Sequence, residues 1–205
     1  MELQTTTHRG RSLGTLRAAA SLVDIDDRAI RVLQVGPGLA VRYLGRLTGV
    51  GVAGRPFFKG LEALVRRLPM PDALYENYES AEIVDVFGPR AVELTVIDIN
   101  PKSLKIVSAS LTPFGIAVTP VVGDITEVGF VERLRLTERY DVVVALNMVL
   151  RVADKLKDRA AANLIAAAAP GGVLVENSLS QQRLRGLQST SYTAVYRKPV
   201  LLAGQ

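Results

Sequence analysis

The sequence predicts a doubly wound α/β fold with a mainly parallel sheet. Short apolar runs alternate along the chain with segments whose apolar residues recur at helical spacing. This alternation is typical of a parallel sheet that is covered by helices on both faces. A glycine turn follows the first predicted strand, and polar residues follow several later strands, at the edge where such sheets bind ligands. We therefore expect a single α/β domain over residues 1–205 with its ligand site at the carboxyl ends of the strands.

The first strand and its turn lie within residues 31–40. An apolar, β-branched run over 32–35 predicts a short buried strand. Gly36 and Gly38 follow it and predict a tight turn in which the backbone approaches another group closely. Apolar residues at helical spacing over 39–47 then predict a helix. Two glycines at this spacing also occur in loops that bind nothing, so the turn alone does not decide whether a ligand binds there.

Two further segments give the chain its individual character. Residues 1–29 are interpreted as an N-terminal tail followed by an amphipathic helix over 12–22. Residues 48–90 contain no convincing central strand, and two helices are predicted there, over 57–68 and from Pro71 to about Phe87. This helical insertion is either a lid, a dimer surface or a cover for one face of the sheet.

The remaining strands are apolar runs that end in polar or turn residues. Pro120 indicates an edge position for the third strand, because proline cannot donate to a ladder on both sides. The fourth strand is nearly all apolar, as a strand that is buried on both faces should be. The predicted strands are 91–98, 116–124, 140–147, 173–176 and 191–198, the predicted helices are 102–112 and 154–169, and a turn is predicted at Pro170–Gly172.

The composition excludes several kinds of chemistry. Cysteine is absent and His8 is the only histidine, in a polar N-terminal segment. Without cysteine there are no disulfides, thiolate nucleophiles or cysteine-based metal sites. One histidine in such a segment argues against a histidine metal site and a Ser-His-Asp triad. The chemistry that remains depends on a cofactor, on carboxylates or on positioning alone.

The charge and hydropathy of the chain limit the kinds of partner that it can have. The formal net charge of +5 permits a polyanionic partner such as RNA, but the basic residues are scattered, which favours a solvated basic surface. No apolar run reaches the ~20 residues of a membrane helix. Residues 1–7 lack the basic and apolar regions of a secretory signal. We expect a cytoplasmic protein that does not associate with a membrane.

Five motifs follow one another in an order that is uncommon, although each motif alone is common. The series resembles the class I S-adenosylmethionine-dependent methyltransferases over roughly residues 30–198. The motifs are the glycine motif Val35–Ala40, the acidic strand end Leu94–Pro101, the adenine-side motif Val122–Ile125, the fourth strand Tyr140–Asn147 and the start of the fifth strand Ala169–Leu174.

The resemblance implies a Rossmann-like methyltransferase fold, S-adenosylmethionine as cofactor and transfer of a methyl group. It implies that the glycine turn and the N-terminus of the next helix receive the methionyl carboxylate, where the helix dipole favours an anion. Asp98 would accept hydrogen bonds from the ribose hydroxyls, Ile99 would face the adenine ring, and Asp124 would accept from the adenine amino group. The implied cofactor-binding residues are Gln34, Gly36, Pro37, Gly38, Asp98, Ile99, Asp124, Ile125 and Asn147.

The resemblance also indicates where the acceptor of the methyl group would lie. Asn147 stands where the family places a residue that faces the methyl group and the substrate, so it is a candidate for substrate positioning. A hydroxyl or amine acceptor would need a base, for which Glu176, Asp154 and the tyrosines are candidates. The catalytic residues are otherwise unknown, and no metal site is indicated.

The sequence departs from the family pattern at several positions. Gln34 stands where the family usually has an acid that often orients the amino end of the cofactor, and Leu150 and Arg151 stand where many small-molecule members have a pair of histidines. The interval between the glycine turn and Asp98 is far longer than the ~20 residues of a plain dinucleotide-binding unit. Asp98 and Asp124 also have a purely structural interpretation, Asp98 as the N-terminal cap of the helix that follows it and Asp124 as the cap of the turn before Glu127.

Three functional hypotheses follow from these observations. The preferred one is a methyltransferase that acts on a small molecule rather than on RNA. The second is a catalytically degenerate protein with the same fold that serves as a binding or scaffold partner, which Gln34 and the missing histidines favour. An NAD(P) oxidoreductase ranks third because no Tyr-x-x-x-Lys pair is present. The acceptor, the atom that is methylated and the formation of a homodimer stay open.

Overall fold

The computed structural model describes residues 10–23, 28–37, 40–41, 75–88, 92–146 and 148–200, with the backbone alone at 40–41 and 75–76. Its helices are α1 (Leu13–Ala20), α2 (Tyr78–Phe87), α3 (Pro101–Leu111), α4 (Phe130–Arg133) and α5 (Asp154–Ala167), with 3-10 turns at Thr112–Phe114 and Val149–Arg151. Its strands are β1 (Ile30–Val35), β2 (Ala40–Val41), β3 (Tyr75–Glu76), β4 (Val92–Asp98), β5 (Val118–Val122), β6 (Tyr140–Val144), β7 (Ala168–Val175), β8 (Gln188–Ser189) and β9 (Val195–Arg197).

Seven of these strands form one sheet in the order β5-β4-β1-β6-β7-β9-β8. The strands from β5 to β7 are parallel, and β9 is antiparallel to both β7 and β8. The chain adds β4 and β5 on one side of β1 and then β6 and β7 on the other, so the sheet is doubly wound. The predicted fold class and the edge position of the strand that contains Pro120 are confirmed.

Each face of the sheet has its own apolar core. The core that includes Leu16, Ile83 and Leu104 joins α1, α2 and α3 to one face. The core that includes Phe130 and Leu164 joins α4 and α5 to the other. Successive residues of β1 and β6 alternate between the two cores, because side chains on a strand point to opposite faces in turn.

The segment after the glycine turn differs from the prediction of a helix over 39–47. Ala40 and Val41 form β2, which pairs antiparallel with β3, and residues 42–47 lie outside the described part of the chain. Within the described residues, the helix between β1 and its neighbour β4 is α2, which begins at Tyr78 and not at Pro71 as predicted, because Tyr75 and Glu76 form β3. Asn77 ends the extended β3 segment and caps this helix, since its Oδ1 accepts a hydrogen bond of 2.7 Å from the Ser80 N–H.

The passage from α5 to β7 also differs from the prediction. Pro170–Gly172 lies inside β7 rather than in a turn before it, and the helix ends at Ala167 instead of Ala169. The register of β7 against β6 shifts here, and a Cβ on Gly172 would lie 3.0 Å from the carbonyl oxygen of Tyr140. The strand β8 was not predicted, because two exposed residues carry no periodic signal.

Parts of two predicted segments lie outside the described residues. Residues 1–9 and 48–74 are not described, so the disordered tail and the helical insertion or lid at 48–90 stay predictions. Within the described ranges, no helix is long and apolar enough to cross a membrane. The same ranges contain no group of three or more acidic or histidine side chains that could hold a metal ion.

The start of β1 is tied to the start of β6 by a buried carboxylate. The Asp141 side chain accepts two hydrogen bonds of 2.7 Å from the guanidinium of Arg28 and one of 2.9 Å from the Arg31 N–H. Burial alone would raise the pKa of Asp141, but these donors outweigh it and hold that pKa below its ordinary value. The pairing of the central strands is therefore reinforced at the end opposite the glycine turn.

Gly123 follows β5 at a position where the space allows no side chain, and its replacement is a test of the packing there. In Gly123→Ala the new Cβ would lie 2.2 Å from Cε2 of Phe130, which is 1% exposed. We expect a loss of about 1–3 kcal/mol in the free energy of unfolding, measured in urea. Phe130→Leu in the same chain should make the loss smaller than the sum of the two single losses.

Gly14→Ala is the matched control, because a Cβ at that position in α1 meets nothing within 4 Å. It should leave stability unchanged or raise it by about 0.5–1 kcal/mol, since alanine is the better helix former. Strictly additive losses in the double variant would contradict the assigned contact between residues 123 and 130.

Candidate functional site

The reversal of the sheet at β1 and β6 creates a crevice at their carboxyl ends. The connections from these adjacent parallel strands leave in opposite directions, which in open α/β sheets opens a ligand-binding cleft. The turn after β1 begins at Gly36, whose φ is +66°. A Cβ there would lie 2.3 Å from Cγ of Met148, which follows β6. Both the backbone conformation and the contact with Met148 therefore require glycine at position 36.

The carboxyl ends of β1, β4 and β5 are held in register by backbone hydrogen bonds. The Gly36 N–H donates to the carbonyl oxygen of Ile97 at 2.8 Å, and the Gly123 N–H donates to that of Asp98 at 3.1 Å. The predicted acid at the end of β4 thus lies between the turns that follow β1 and β5. These turns and this acid come from three separate motifs of the sequence, and the sheet brings them to one edge.

Asp98 occupies a partly buried place at this edge. Its Oδ1 accepts a hydrogen bond of 2.7 Å from the Asn100 N–H, and the Ser103 hydroxyl is a second partner. Burial raises the pKa of Asp98, while these two donors and the positive charge of Arg151 oppose the rise. Ile99 is 51% exposed beside it. Asn100 rather than Asp98 is the N-terminal cap of α3, so the interpretation of Asp98 as the helix cap is wrong. Asp98 closes the turn before the helix and presents a carboxylate next to an exposed apolar side chain.

Asp124 and Ile125 follow β5 and face different surroundings. Oδ1 of Asp124 accepts a hydrogen bond of 2.8 Å from the Thr126 N–H, which closes a turn of the kind that the structural interpretation described. Ile125 is 4% exposed and belongs to the core under α4 and α5. Its carbonyl oxygen accepts a hydrogen bond from Nδ2 of Asn163. Ile125 thus has little side-chain surface for a ligand, whereas Asp124 stays partly exposed.

Gln34 takes a core position in β1, with its side chain fully buried. Its Nε2 donates a hydrogen bond of 2.9 Å to Oε1 of Glu79, and its Oε1 accepts a hydrogen bond from the Ser80 hydroxyl. Both partners lie in the first turn of α2. The missing acid at position 34 is visible in the sequence motif, whereas Glu79 is not among the predicted site residues. The signal was present: Glu79 lies four residues before Ile83, on the buried side of an amphipathic helix.

Glu79 has a strongly perturbed carboxyl group. Burial raises the pKa of Glu79 from 4.5 to about 7, and the nearby charge of Glu82 adds to the rise. The hydrogen bond from Gln34 and the positive charge of Arg11 act in the opposite direction. Perturbed carboxyl groups of this kind cluster at functional sites, because such sites combine burial with specific charge partners.

The other predicted residues are distributed unevenly. Pro37 is buried directly after the glycine turn, while Gly38 and Asn147 lie outside the described residues. Two of the carboxylates considered as bases have structural partners. Glu176 is fully buried and accepts hydrogen bonds from the N–H groups of Ser178 and Leu179, and Asp154 is paired with Arg183 and Lys157. Tyr78, one of the tyrosines, is buried in α2.

Solved structures with the same architecture were found by comparison. N-methyltransferase NodS from Bradyrhizobium japonicum WM9 matches 91% of this chain and 94% of its own, with a TM-score of 0.52 and 15% identity. The structure of NodS in complex with S-adenosyl-L-homocysteine matches 92% of this chain and 84% of its own, with a TM-score of 0.53 and 14% identity. The protein has the class I methyltransferase fold.

Other comparisons add less. No protein-family model matches the chain, and no curated protein matches it. A structure from work on the conversion of a disulfide bond into a thioacetal group during echinomycin biosynthesis matches 82% of this chain with a TM-score of 0.49 and 14% identity. The present chain spans 50% of that protein. At these identities the likeness establishes the fold, and activity has to be argued from the site.

The raised pKa of Glu79 predicts how stability changes with pH. The folded state binds the Glu79 proton more tightly than the unfolded state, where the pKa is near 4.5. The stabilising contribution is therefore complete below about pH 4.5 and is lost as the pH rises through about 7. In Glu79→Gln this dependence should vanish. The advantage of the wild type over the variant in urea unfolding should shrink between about pH 5 and about pH 8.

Asp85→Asn, on the exposed side of the same helix, provides the control and should follow the wild type at every pH. Parallel stability curves for the wild type and Glu79→Gln would mean that the Glu79 carboxyl titrates like an exposed one, contrary to its burial.

Proposed function

We propose that this protein is an S-adenosylmethionine-dependent methyltransferase that acts on a small molecule. The observation that carries the proposal is the crevice at the reversal of the sheet. There Gly36, Asp98 and Asp124 lie at the carboxyl ends of three adjacent strands, in a fold shared with a methyltransferase that was solved with S-adenosyl-L-homocysteine. The resemblance of the sequence motifs to the class I methyltransferases supports the same assignment independently of the fold.

The residues at the crevice fit the groups of this cofactor chemically. The glycine turn brings backbone close to a bound group such as a carboxylate. The predicted helix does not add its N-terminus there, because Ala40 and Val41 form β2 directly after the turn. The partly buried carboxylate of Asp98 suits a pair of ribose hydroxyls, and the exposed side chain of Ile99 suits the face of a purine ring. Asp124 would accept a hydrogen bond from the adenine amino group.

The protein would contribute mainly positioning. When bound, S-adenosylmethionine supplies an electrophilic methyl group on a sulfonium. The residues around the crevice would hold the acceptor in line with that group and exclude water, which accounts for much of the acceleration of such a displacement. Asn147 is proposed to position the acceptor. Since Glu176 and Asp154 are engaged in structural contacts, an acceptor that is already nucleophilic fits the described residues better than one that needs a base.

If the Asp98 carboxylate binds the ribose of the cofactor, substitution of Asp98 should lower the affinity for the cofactor. Asp98→Asn keeps an oxygen that can accept from the Asn100 N–H but loses the charge, so its fold should survive. We expect its affinity for S-adenosyl-L-homocysteine, measured by calorimetry, to fall about 10-fold to 100-fold, because hydrogen bonds to a charged group contribute about 1.5–3 kcal/mol. In Asp98→Ala binding should be lost.

Asp85→Asn removes an exposed acid of α2 and serves as the matched control with unchanged affinity. A folded wild-type protein that binds neither S-adenosylmethionine nor S-adenosyl-L-homocysteine would overturn the enzyme hypothesis. A binding or scaffold role would then be the better account of the fold.

The preference for a small acceptor over RNA predicts weak, non-specific binding of nucleic acid. An enzyme of RNA would bind its substrate through several phosphate contacts, and its affinity would fall about 10³-fold or more between about 50 and about 200 mM salt. We expect methyl transfer to a small-molecule pool to change little over this range. Tight binding of RNA with a steep salt dependence, measured by fluorescence anisotropy, would contradict the preference.

A further inference from the structure

A buried acid lies directly behind the glycine turn. Glu79 is 5% exposed, and its Oε1 accepts a hydrogen bond of 2.9 Å from the carboxamide of Gln34. Gln34 is fully buried and stands two residues before Gly36 in the chain, on the second-last residue of β1. The carboxyl group of Glu79 is therefore fixed at the carboxyl end of the central strand, beside the crevice.

The contacts of Gln34 hold this arrangement in one geometry. Its carboxamide oxygen accepts from the Ser80 hydroxyl, so its nitrogen is the atom that faces Glu79. The Ser80 N–H in turn donates to the capping side chain of Asn77. While Glu79 is ionised, a turned amide would present its oxygen to the carboxylate and lose this hydrogen bond, so the amide presents a donor to the acid.

Among the described residues, the groups that influence the charge of Glu79 include an acid and a single cation. Gln34 faces it from β1, Ser80 and Glu82 share its helix, and Arg11 approaches from the segment before α1. Glu82 is like-charged, and its own carboxylate accepts from the N–H groups of Gly10 and Ser12, at 2.5 and 3.0 Å. In the described part of the chain that cation is Arg11, and burial outweighs it, so the pKa of Glu79 stays raised. A further positive charge at this edge would favour the ionised carboxylate.

We propose that Glu79 is the positioning residue for the cationic amino end of the cofactor, and that it supplies from α2, across Gln34, the negative charge that β1 itself lacks. The inference rests on the proposed function, in which a cofactor with an ammonium group occupies the crevice. Inside a protein a charge acts over a longer distance than in water, so a carboxylate that lies behind Gln34 still favours a cation at the turn. Glu79 must be ionised to act in this way.

This requirement links cofactor binding to pH. With a pKa near 7, about one tenth of Glu79 is ionised at about pH 6 and about nine tenths at about pH 8 in the free protein. If the ionised form binds, the affinity for a ligand with an ammonium group rises about tenfold across this range. Removal of the Glu82 charge should favour ionisation of Glu79 and move the rise to lower pH, because Glu82 raises the pKa of its neighbour.

The test is calorimetry with two ligands, S-adenosyl-L-homocysteine and 5′-methylthioadenosine, at about pH 6, 7 and 8. Both carry the adenosine and a thioether, but the second lacks the ammonium and carboxylate groups. We expect Glu79→Gln to lose about tenfold in affinity for S-adenosyl-L-homocysteine at about pH 8 and to lose the pH dependence, with unchanged affinity for 5′-methylthioadenosine. The ligand ionises in the same way in the experiments with the wild type and with Glu79→Gln, so its ionisation cancels when their affinities are compared.

Two further variants complete the design. Glu82→Gln should shift the pH profile of S-adenosyl-L-homocysteine binding downward with full affinity at high pH, and this shift keeps the proposal testable even where Glu79→Gln does not fold. Asp85→Asn, an exposed acid on the same helix, should bind both ligands as the wild type does.

The outcomes distinguish a failure of the inference about Glu79 from a failure of the proposed methyltransferase function. Equal losses for both ligands in Glu79→Gln would indicate a merely structural role, and unchanged binding of S-adenosyl-L-homocysteine would exclude any role. Either result overturns the inference and leaves the methyltransferase proposal in place. If the folded wild type binds neither ligand, the proposed function itself fails.

Discussion

The arrangement of this molecule depends on the central position of β1. Its backbone pairs with β4 on one side and with β6 on the other, and both of its faces are covered by helices. At its start a carboxylate on β6 binds Arg28 and Arg31, and at its end the Gly36 N–H binds the carbonyl oxygen of Ile97. A strand that is held along its whole length can end in an abrupt turn, and that turn defines one wall of the crevice.

The burial of the polar side chains of Gln34 and Glu79 behind that turn costs desolvation free energy. Gln34 occupies a core position that an apolar residue would fill at no desolvation cost, and Glu79 is an acid with little access to water. Hydrogen bonds between Gln34, Glu79 and Ser80 offset part of this cost. A buried acid in a core that does not need it is better explained by what it does for a ligand than by what it does for stability.

Much of the fold could be predicted from local pattern. The apolar runs located β4 and β6 to within a few residues, because strands that are buried on both faces leave a continuous apolar signature. The edge strand β5 is largely exposed, and its β-branched residues located it. The predictions were wrong where pairing overrides local propensity. Ala40 and Val41 lie in a segment whose apolar residues have helical spacing but form a strand, because Tyr75 and Glu76 offer them an antiparallel partner. In β7 the run Pro170–Gly172 reads as a turn but accommodates a register shift.

The sequence by itself determined where the parallel strands of the sheet lie along the chain, since their positions depend on periodicity and on turn chemistry within a few residues. That was enough to indicate Gly36, Asp98 and Asp124 as members of one edge. Only the tertiary structure decided which acid meets Gln34. The two residues of that contact are 45 positions apart, and they meet because α2 packs on the face of β1 that carries Gln34. No local pattern encodes such a meeting, because it depends on the register between a helix and a sheet.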